Sequence, residues 1–291
     1  MGLADGIRRH GGTFARSFLA ISACLARLSA RVFFTMANQN VAEIGDLKQW
    51  LGSMRGLLEE NHFHVENLLI TEAGPVLAAS RFVDPAWPLV YLSSGIHGDE
   101  PAGPLAIESL LRHLDLDGFN WLICPLLNPL GLHRGIRENP QGIDLNRDYR
   151  RQQSREARAH AAWLERQLVP DLFVSLHEDW EAQGFYFYEI ALEEDRPERA
   201  RRILDSVAAV WPIEQEECID DHQVRERGWI FHEPQADFPD EWPEAIFMAE
   251  RRCPLSFTFE TPSRAAPLEK RIAAHQAAIA AALLEWQAER L

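Results

Sequence analysis

Three short polar clusters in the 291-residue chain could do chemistry together. The first is His97-Gly98-Asp99-Glu100, two residues after the apolar run 88–94. A histidine and a glutamate three apart can address one ion when their segment turns, and Gly95 and Gly98 permit the turn. Read by itself the motif also fits a solvated turn whose Glu100 favours the dipole of a following helix. The second is His177, which ends the apolar run 172–176 and is followed by Glu178 and Asp179. A lone histidine there reads as structural, but with His97 and Glu100 it makes a His₂Glu set. That is a ligand count of catalytic zinc, with a fourth position left for water. The third is Glu260, at the tip of the run 255–259. A carboxylate at the end of a buried strand is costly without a partner or a task. Glu260 is therefore a candidate general base, or else a cap for the closing helix.

The elements that must position these residues alternate along the chain. Helical spacing covers 44–58, 101–114, 154–168, 197–210 and 268–286. Strand-like runs cover 63–71, 76–82, 88–94, 121–127, 172–176, 185–190 and 255–259, with Pro125 an obstacle inside the fourth of them. The alternation predicts an α/β fold, a mixed, mostly parallel sheet flanked by helices on both faces, with the three clusters at strand C-terminal ends where open sheets place ligands. Residues 128–150 hold five Gly/Pro signals and no period, which predicts a long functional loop. Residues 211–250 are rich in Pro, Trp and acids and give no assignable pattern. His62 and His64 flank Phe63 and read as alternation in an early strand.

Composition removes several function classes. Lys and Arg number 29 against 44 Asp and Glu, a net charge of −15 without the basic excess that phosphate binding needs. Nucleic acid is not an expected partner. Cys24, Cys124, Cys218 and Cys253 stand far apart, so neither a disulfide framework nor a thiolate zinc module is expected. No G-x-S-x-G, P-loop or G-x-G-x-x-G pattern occurs. His177-Glu178-Asp179-Trp180-Glu181 has glutamate where an H-E-x-x-H helix needs its second histidine. Residues 1–35 carry five arginines against one acid, leaving −19 on the remainder. They read as a separate basic segment, disordered or upstream of a true start at Met36, ahead of a single catalytic domain over 41–291. Their apolar stretch 17–26 is too short to span a bilayer. The expected location is cytoplasmic, or periplasmic or secreted if residues 1–35 act as a signal.

The loop carries Asn128-Pro129-Leu130-Gly131-Leu132, then Arg134, Arg137 and Gly142-Ile143-Asp144-Leu145-Asn146-Arg147. Together with His97-Gly98-Asp99-Glu100, His177 and Glu260 in this order, it resembles the M14 family of zinc carboxypeptidases, from about residue 88 to residue 262. The resemblance implies a zinc carboxypeptidase-like sandwich with one Zn²⁺ per chain on His97, Glu100 and His177. It implies that Glu260 is the base that deprotonates the zinc-activated water. Arg137, ten residues before Arg147, becomes the cation that steadies the oxyanion, with Arg134 as a weaker stand-in. Asn146 and Arg147 become the grip on the substrate's terminal carboxylate. A local ion pair of Arg147 with Asp144 or Asp148 is the competing account.

One departure stands out. Family peptidases bring a tyrosine from a loop shortly before the catalytic glutamate, whereas the tyrosines here are Tyr91, Tyr149, Tyr186 and Tyr188. The expected activity is that of a zinc metallocarboxypeptidase acting on a peptide or small amide beside a free carboxylate. The alternative is an N-acyl amino acid deacylase resembling succinylglutamate desuccinylase and aspartoacylase, which share H-G-x-E and D-L-N-R. Those enzymes carry a β-rich domain after the glutamate, whereas 31 residues of helical pattern follow Glu260. A non-catalytic binding module on the same scaffold would be expected to lack a ligand or the glutamate.

Overall fold

Side-chain alternation on the strands decides the layering of this protein, whose computed structural model describes residues 44–288. Strand β3 (Leu89–Ser94) sends Val90 and Leu92 into one apolar cluster and Leu89 and Tyr91 into another on the opposite face. Strand β5 (Leu172–Asp179) likewise divides Leu172, Val174 and Leu176 from Phe173. Both strands are covered on both sides, which is why they read as continuous apolar runs rather than alternating ones. The first face is covered by α1 (Leu47–Glu60), α2 (Ala102–His113), α5 (Pro197–Ala208) and α7 (Leu268–Ala288). The second is covered by α4 (Arg155–Arg166) and α6 (Glu244–Glu250).

Eight strands form one mixed sheet. The remaining members are β1 (His64–Thr71), β2 (Gly74–Arg81), β4 (Asn120–Cys124), β6 (Tyr186–Ala191), β9 (Trp229–Phe231) and β10 (Leu255–Pro262), in the spatial order β1-β2-β4-β3-β5-β10-β6-β9. Strands β4, β3, β5 and β10 run parallel, and β6 also pairs in parallel with β9. The pairings β1/β2, β2/β4 and β10/β6 are antiparallel. From β3 the chain crosses through α2 to β4 on one side, and later returns to β5 on the other. The crevice beyond the ends of β3 and β5 is thus a topological switch point, the usual ligand position of open α/β sheets.

The predicted elements are present, with four instructive differences. Strand β4 stops at Cys124 because Pro125 has no N–H for the ladder. The loop 128–150 contains a short helix, α3 (Pro129–Arg134), capped by the Asn128 side chain on Gly131 N (2.9 Å) and ended by left-handed Gly135. It also holds a 3₁₀ turn, Leu145–Arg147. Residues 211–250 fold into a two-stranded hairpin, β7 (Cys218–Ile219) and β8 (His222–Gln223), followed by β9 and α6. His62 is not a strand residue: it turns the chain after α1 with φ 64°, and only His64 belongs to β1. The basic segment 1–35 and the start at Met36 lie outside the described residues. No helix among the described residues is long and apolar enough to cross a membrane.

Candidate active site

The turn that carries His97 and Glu100 is held by close backbone approach. Gly95 takes φ 60°, and a Cβ on Gly98 would lie 2.0 Å from the Gly131 carbonyl carbon and 2.4 Å from Ile136 O. Gly98 N donates to Arg137 O (3.2 Å), so the turn and the α3 loop are docked as one unit. His177 lies on β5 and Glu260 on β10, and the two are partners in the parallel register. Tyr186 of β6 is the antiparallel partner of Glu260. Tyr186, Glu260 and His177 therefore form one row across the sheet, pointing away from the face that Leu176 and Phe259 cover.

His97, Glu100 and His177 are buried and bring their ligand atoms within 4.8 Å of one another. His97 Nδ1 lies 2.6 Å from Glu100 Oε1, and His177 Nδ1 lies 3.1 Å from Glu100 Oε2 and 3.3 Å from His97 Nδ1. Glu100 Oε2 is sealed from water without a well-formed hydrogen bond. Burial pushes the Glu100 carboxyl upward, but the His97 and His177 imidazoles outweigh it and hold the group well below the ordinary carboxylate range. Burial lowers His177; for His97 it is outweighed by Glu100 and Asp144, which raise it. Two imidazole nitrogens facing each other over a carboxylate are a donor set that a divalent cation satisfies and that single protons satisfy poorly. Its chemistry, two nitrogens and one oxygen, fits zinc.

Asp144 is a residue that the sequence reading undervalued. Its Oδ1 lies 3.2 Å from His97 Nε2 and accepts from Asn146 N (2.8 Å), and its Oδ2 accepts from Arg137 Nε (3.1 Å). One carboxylate thus orients the far nitrogen of His97, starts the 3₁₀ turn and holds Arg137. A carboxylate behind a ligating histidine is the common supporting arrangement, and it was the available signal. Burial raises the Asp144 carboxyl, but His97, Arg137 and Arg147 together bring it far below its ordinary value. Arg137 Nη1 stands 3.6 Å from Glu100 Oε1, at the rim of the donor set. Arg134, at the end of α3, is exposed and makes no ion pair among the described residues.

Asn146 Oδ1 accepts from Glu244 N (2.9 Å), which leaves the Asn146 amide nitrogen for other work. Arg147 is exposed, donates from Nη1 to Asn146 O (3.0 Å) and forms no ion pair among the described residues. Asp148 is instead engaged by Ser154 N (2.7 Å), Ser154 Oγ (2.7 Å) and Gln153 N (2.9 Å) at the start of α4. Glu178, next to His177 in the chain, points through the sheet to the other side. There it accepts from Ala102 N (2.7 Å) and from Arg271, so it anchors α2 and α7 rather than facing His97 and Glu100. Tyr186 donates to Asp179 Oδ2 (3.1 Å) beside Glu260.

Behind the site, Tyr149, His160, Tyr91, Glu244 and Ser93 form a buried chain. Tyr149 OH and Tyr91 OH each lie 2.7 Å from a His160 ring nitrogen, and Tyr91 OH and Ser93 Oγ donate to Glu244 (2.6 and 2.7 Å). Burial pushes the Glu244 carboxyl up to about 7, against these two hydrogen bonds. Its folded value exceeds its unfolded one, so its contribution to stability is full below the unfolded value of about 4.5 and is lost as pH rises through about 7. Glu244→Gln, which is neutral throughout, should gain on the parent chain by up to about 3 kcal/mol between pH 5 and pH 8. Urea unfolding at the two pH values measures it, and an equal pH slope for both chains would refute it.

Comparison with solved structures identifies the fold. A presumed metallopeptidase from Shewanella denitrificans superposes with TM-score 0.71 at 22% identity, over 81% of this chain and 88% of that one. A second from Shewanella amazonensis gives 0.71 at 24% identity, over 81% and 91%. A metallo-carboxypeptidase from Burkholderia cenocepacia gives 0.59 at 17% identity, over 81% and 67%. The chain has the M14-like metallo-carboxypeptidase fold. Within it, residues 86–210 match the succinylglutamate desuccinylase/aspartoacylase catalytic domain. No curated protein sequence matches the chain.

Proposed function

We propose that the chain is a zinc-dependent metallocarboxypeptidase that hydrolyses a C-terminal peptide or amide bond beside a free carboxylate. The observation that carries this reading is the placement of Glu260 in one row with His177, while Arg137 reaches within 3.6 Å of Glu100. A base and a cation thereby flank a His₂Glu donor set. His97, Glu100 and His177 would hold the zinc, which supplies Lewis-acid polarisation and a water acidified toward neutral pH.

The other groups divide the remaining work. Glu260 accepts the proton of the attacking water and returns it to the leaving nitrogen. Packing around its carboxylate and the nearby Glu100 charge hold the Glu260 carboxyl above its ordinary value, which favours that return. Arg137, fixed by Asp144, offers N–H groups to the oxygen that becomes negative. Arg147 and the Asn146 amide bind the free carboxylate, and the planar guanidinium can do so through two hydrogen bonds.

A paired-substrate experiment tests the specificity. Amidating the carboxylate next to the scissile bond should lower kcat/KM by about 2–4 kcal/mol equivalent, the range for a desolvated charge pair left half made. Arg147→Ala should erase the difference between acid and amide while leaving metal content unchanged. C-terminal peptides, a murein tripeptide and N-acyl amino acids are assayed in parallel. Turnover of N-acyl amino acids with none of peptides would transfer the chain to the deacylase reading. Equal cleavage of acid and amide by the parent chain would remove Arg147 from substrate binding.

A further inference from the structure

We propose a second divalent metal site, formed by His222, His232 and Asp237, distinct from the His97–Glu100–His177 centre. These three residues also bring their ligand atoms within 4.8 Å of one another. They come from three places in the segment whose sequence gave no pattern: β8, the residue after β9, and the loop before α6. The β7–β8 turn is made by Asp220 and Asp221, both with left-handed φ (47° and 63°), and it folds the chain back so that His222 pairs with Ile219. His232 N donates to Glu189 O (2.8 Å), which fastens it to the edge of the main sheet. The two imidazole rings stand 4.9 Å apart, each packed against Tyr188.

The protons locate the lone pairs. His222 Nδ1 lies 2.7 Å from Asp220 O and His232 Nδ1 lies 2.6 Å from Glu233 O. A carbonyl oxygen accepts only, so both Nδ1 atoms carry hydrogen and, in the neutral rings, both Nε2 atoms carry lone pairs. Both Nε2 atoms face the same acceptor, Asp237 Oδ2, at 3.5 and 3.6 Å. Two lone pairs aimed at one carboxylate oxygen repel unless a cation lies among them. Charged N–H···O bonds from two imidazolium rings would close to about 2.7–2.9 Å. Ligands at about 2.0–2.1 Å in tetrahedral array stand about 3.3 Å apart, close to the spacing observed. Backbone carbonyls holding the outer nitrogens are also the usual support of ligating histidines.

Two imidazoles and one carboxylate favour zinc or a similar transition ion over magnesium or calcium. Such an ion would staple the β7–β8 hairpin to the loop before α6, on the Tyr188 side of the sheet row that holds Glu260. It adds no reacting group to that row, and its expected role is to fix this wall of the crevice.

Zinc titration of the untagged full chain, followed by removal of loosely held metal, tests the site. The parent chain should hold two equivalents. A His97→Ala/His177→Ala chain should keep one, and adding Asp237→Ala should weaken that one by more than about tenfold. Asp237 is largely exposed, so its truncation leaves the packing intact. Should the double variant fail to fold, anomalous diffraction at the zinc edge from zinc-soaked crystals grown of the parent chain decides instead. A second peak among His222, His232 and Asp237 supports the site. A single peak at His97, or no zinc retained by a folded double variant, overturns it.

Discussion

On the proposed assignment of zinc to His97, Glu100 and His177, His177→Ala should abolish metal retention at that cluster and lower turnover by at least about 10³-fold, since a Lewis-acid centre contributes several kcal/mol to the barrier. The reason lies in the geometry around Glu100. Its two oxygens each face one imidazole, at 2.6 and 3.1 Å, and removing His177 leaves Oε2 buried with no counterpart. A site with one histidine and one carboxylate has too few donors to compete with water for zinc. Residual packing should keep the fold, because His177 lies in a strand whose other buried residues are untouched. Metal analysis is best run with Asp237→Ala as the parent, so that the second cluster does not mask the loss. If both His97→Ala and His177→Ala retain a full equivalent in that background, the ligand assignment fails.

The parts of this molecule that a reader of the sequence can see are those governed by local periodicity. Continuous apolar runs announced β3 and β5, and the polar residues after them announced the crevice, because strands covered on both faces must be apolar and their ends are where ligands fit. The loop 128–150 was legible as important but not as structured. Its cues were present: Asn128 before Pro129 is a helix start, and Gly135 is a helix stop. Sequence adjacency offers Asp144 only as an alternative local partner of Arg147, because it says nothing about His97, 47 residues upstream. Residues 211–250 were opaque for a different reason. Strands of two or three residues carry no period, and a turn built on Asp220-Asp221 lacks the glycine that ordinarily marks left-handed backbone. The second histidine cluster was hidden with them. The tyrosines of β6 could be counted from sequence, but the place of Tyr186 opposite Glu260 depends on an antiparallel pairing that only the sheet order reveals.

Glu260→Gln should keep the fold and the metal and lose most activity, about 10²–10⁴-fold in kcat, the usual contribution of a positioned acid–base group. The substitution preserves shape and one acceptor oxygen but removes the site that takes a proton. Four nearby groups are engaged elsewhere. His177, its partner on β5, is committed with His97 to the donor set. Glu178 is turned to the far face and held by Ala102 N and Arg271. Tyr186, its partner on β6, spends its hydroxyl hydrogen on Asp179. Asp144 is occupied by Arg137, His97 and Asn146 N. Two measurements separate the base from a merely structural carboxylate: the metal content of the variant, expected unchanged, and its KM, expected within a few-fold of the parent while kcat collapses. A chain whose kcat stays within a few-fold after this substitution does not use Glu260 as its base. A chain whose KM rises with kcat unchanged uses the carboxylate to bind substrate rather than to move a proton.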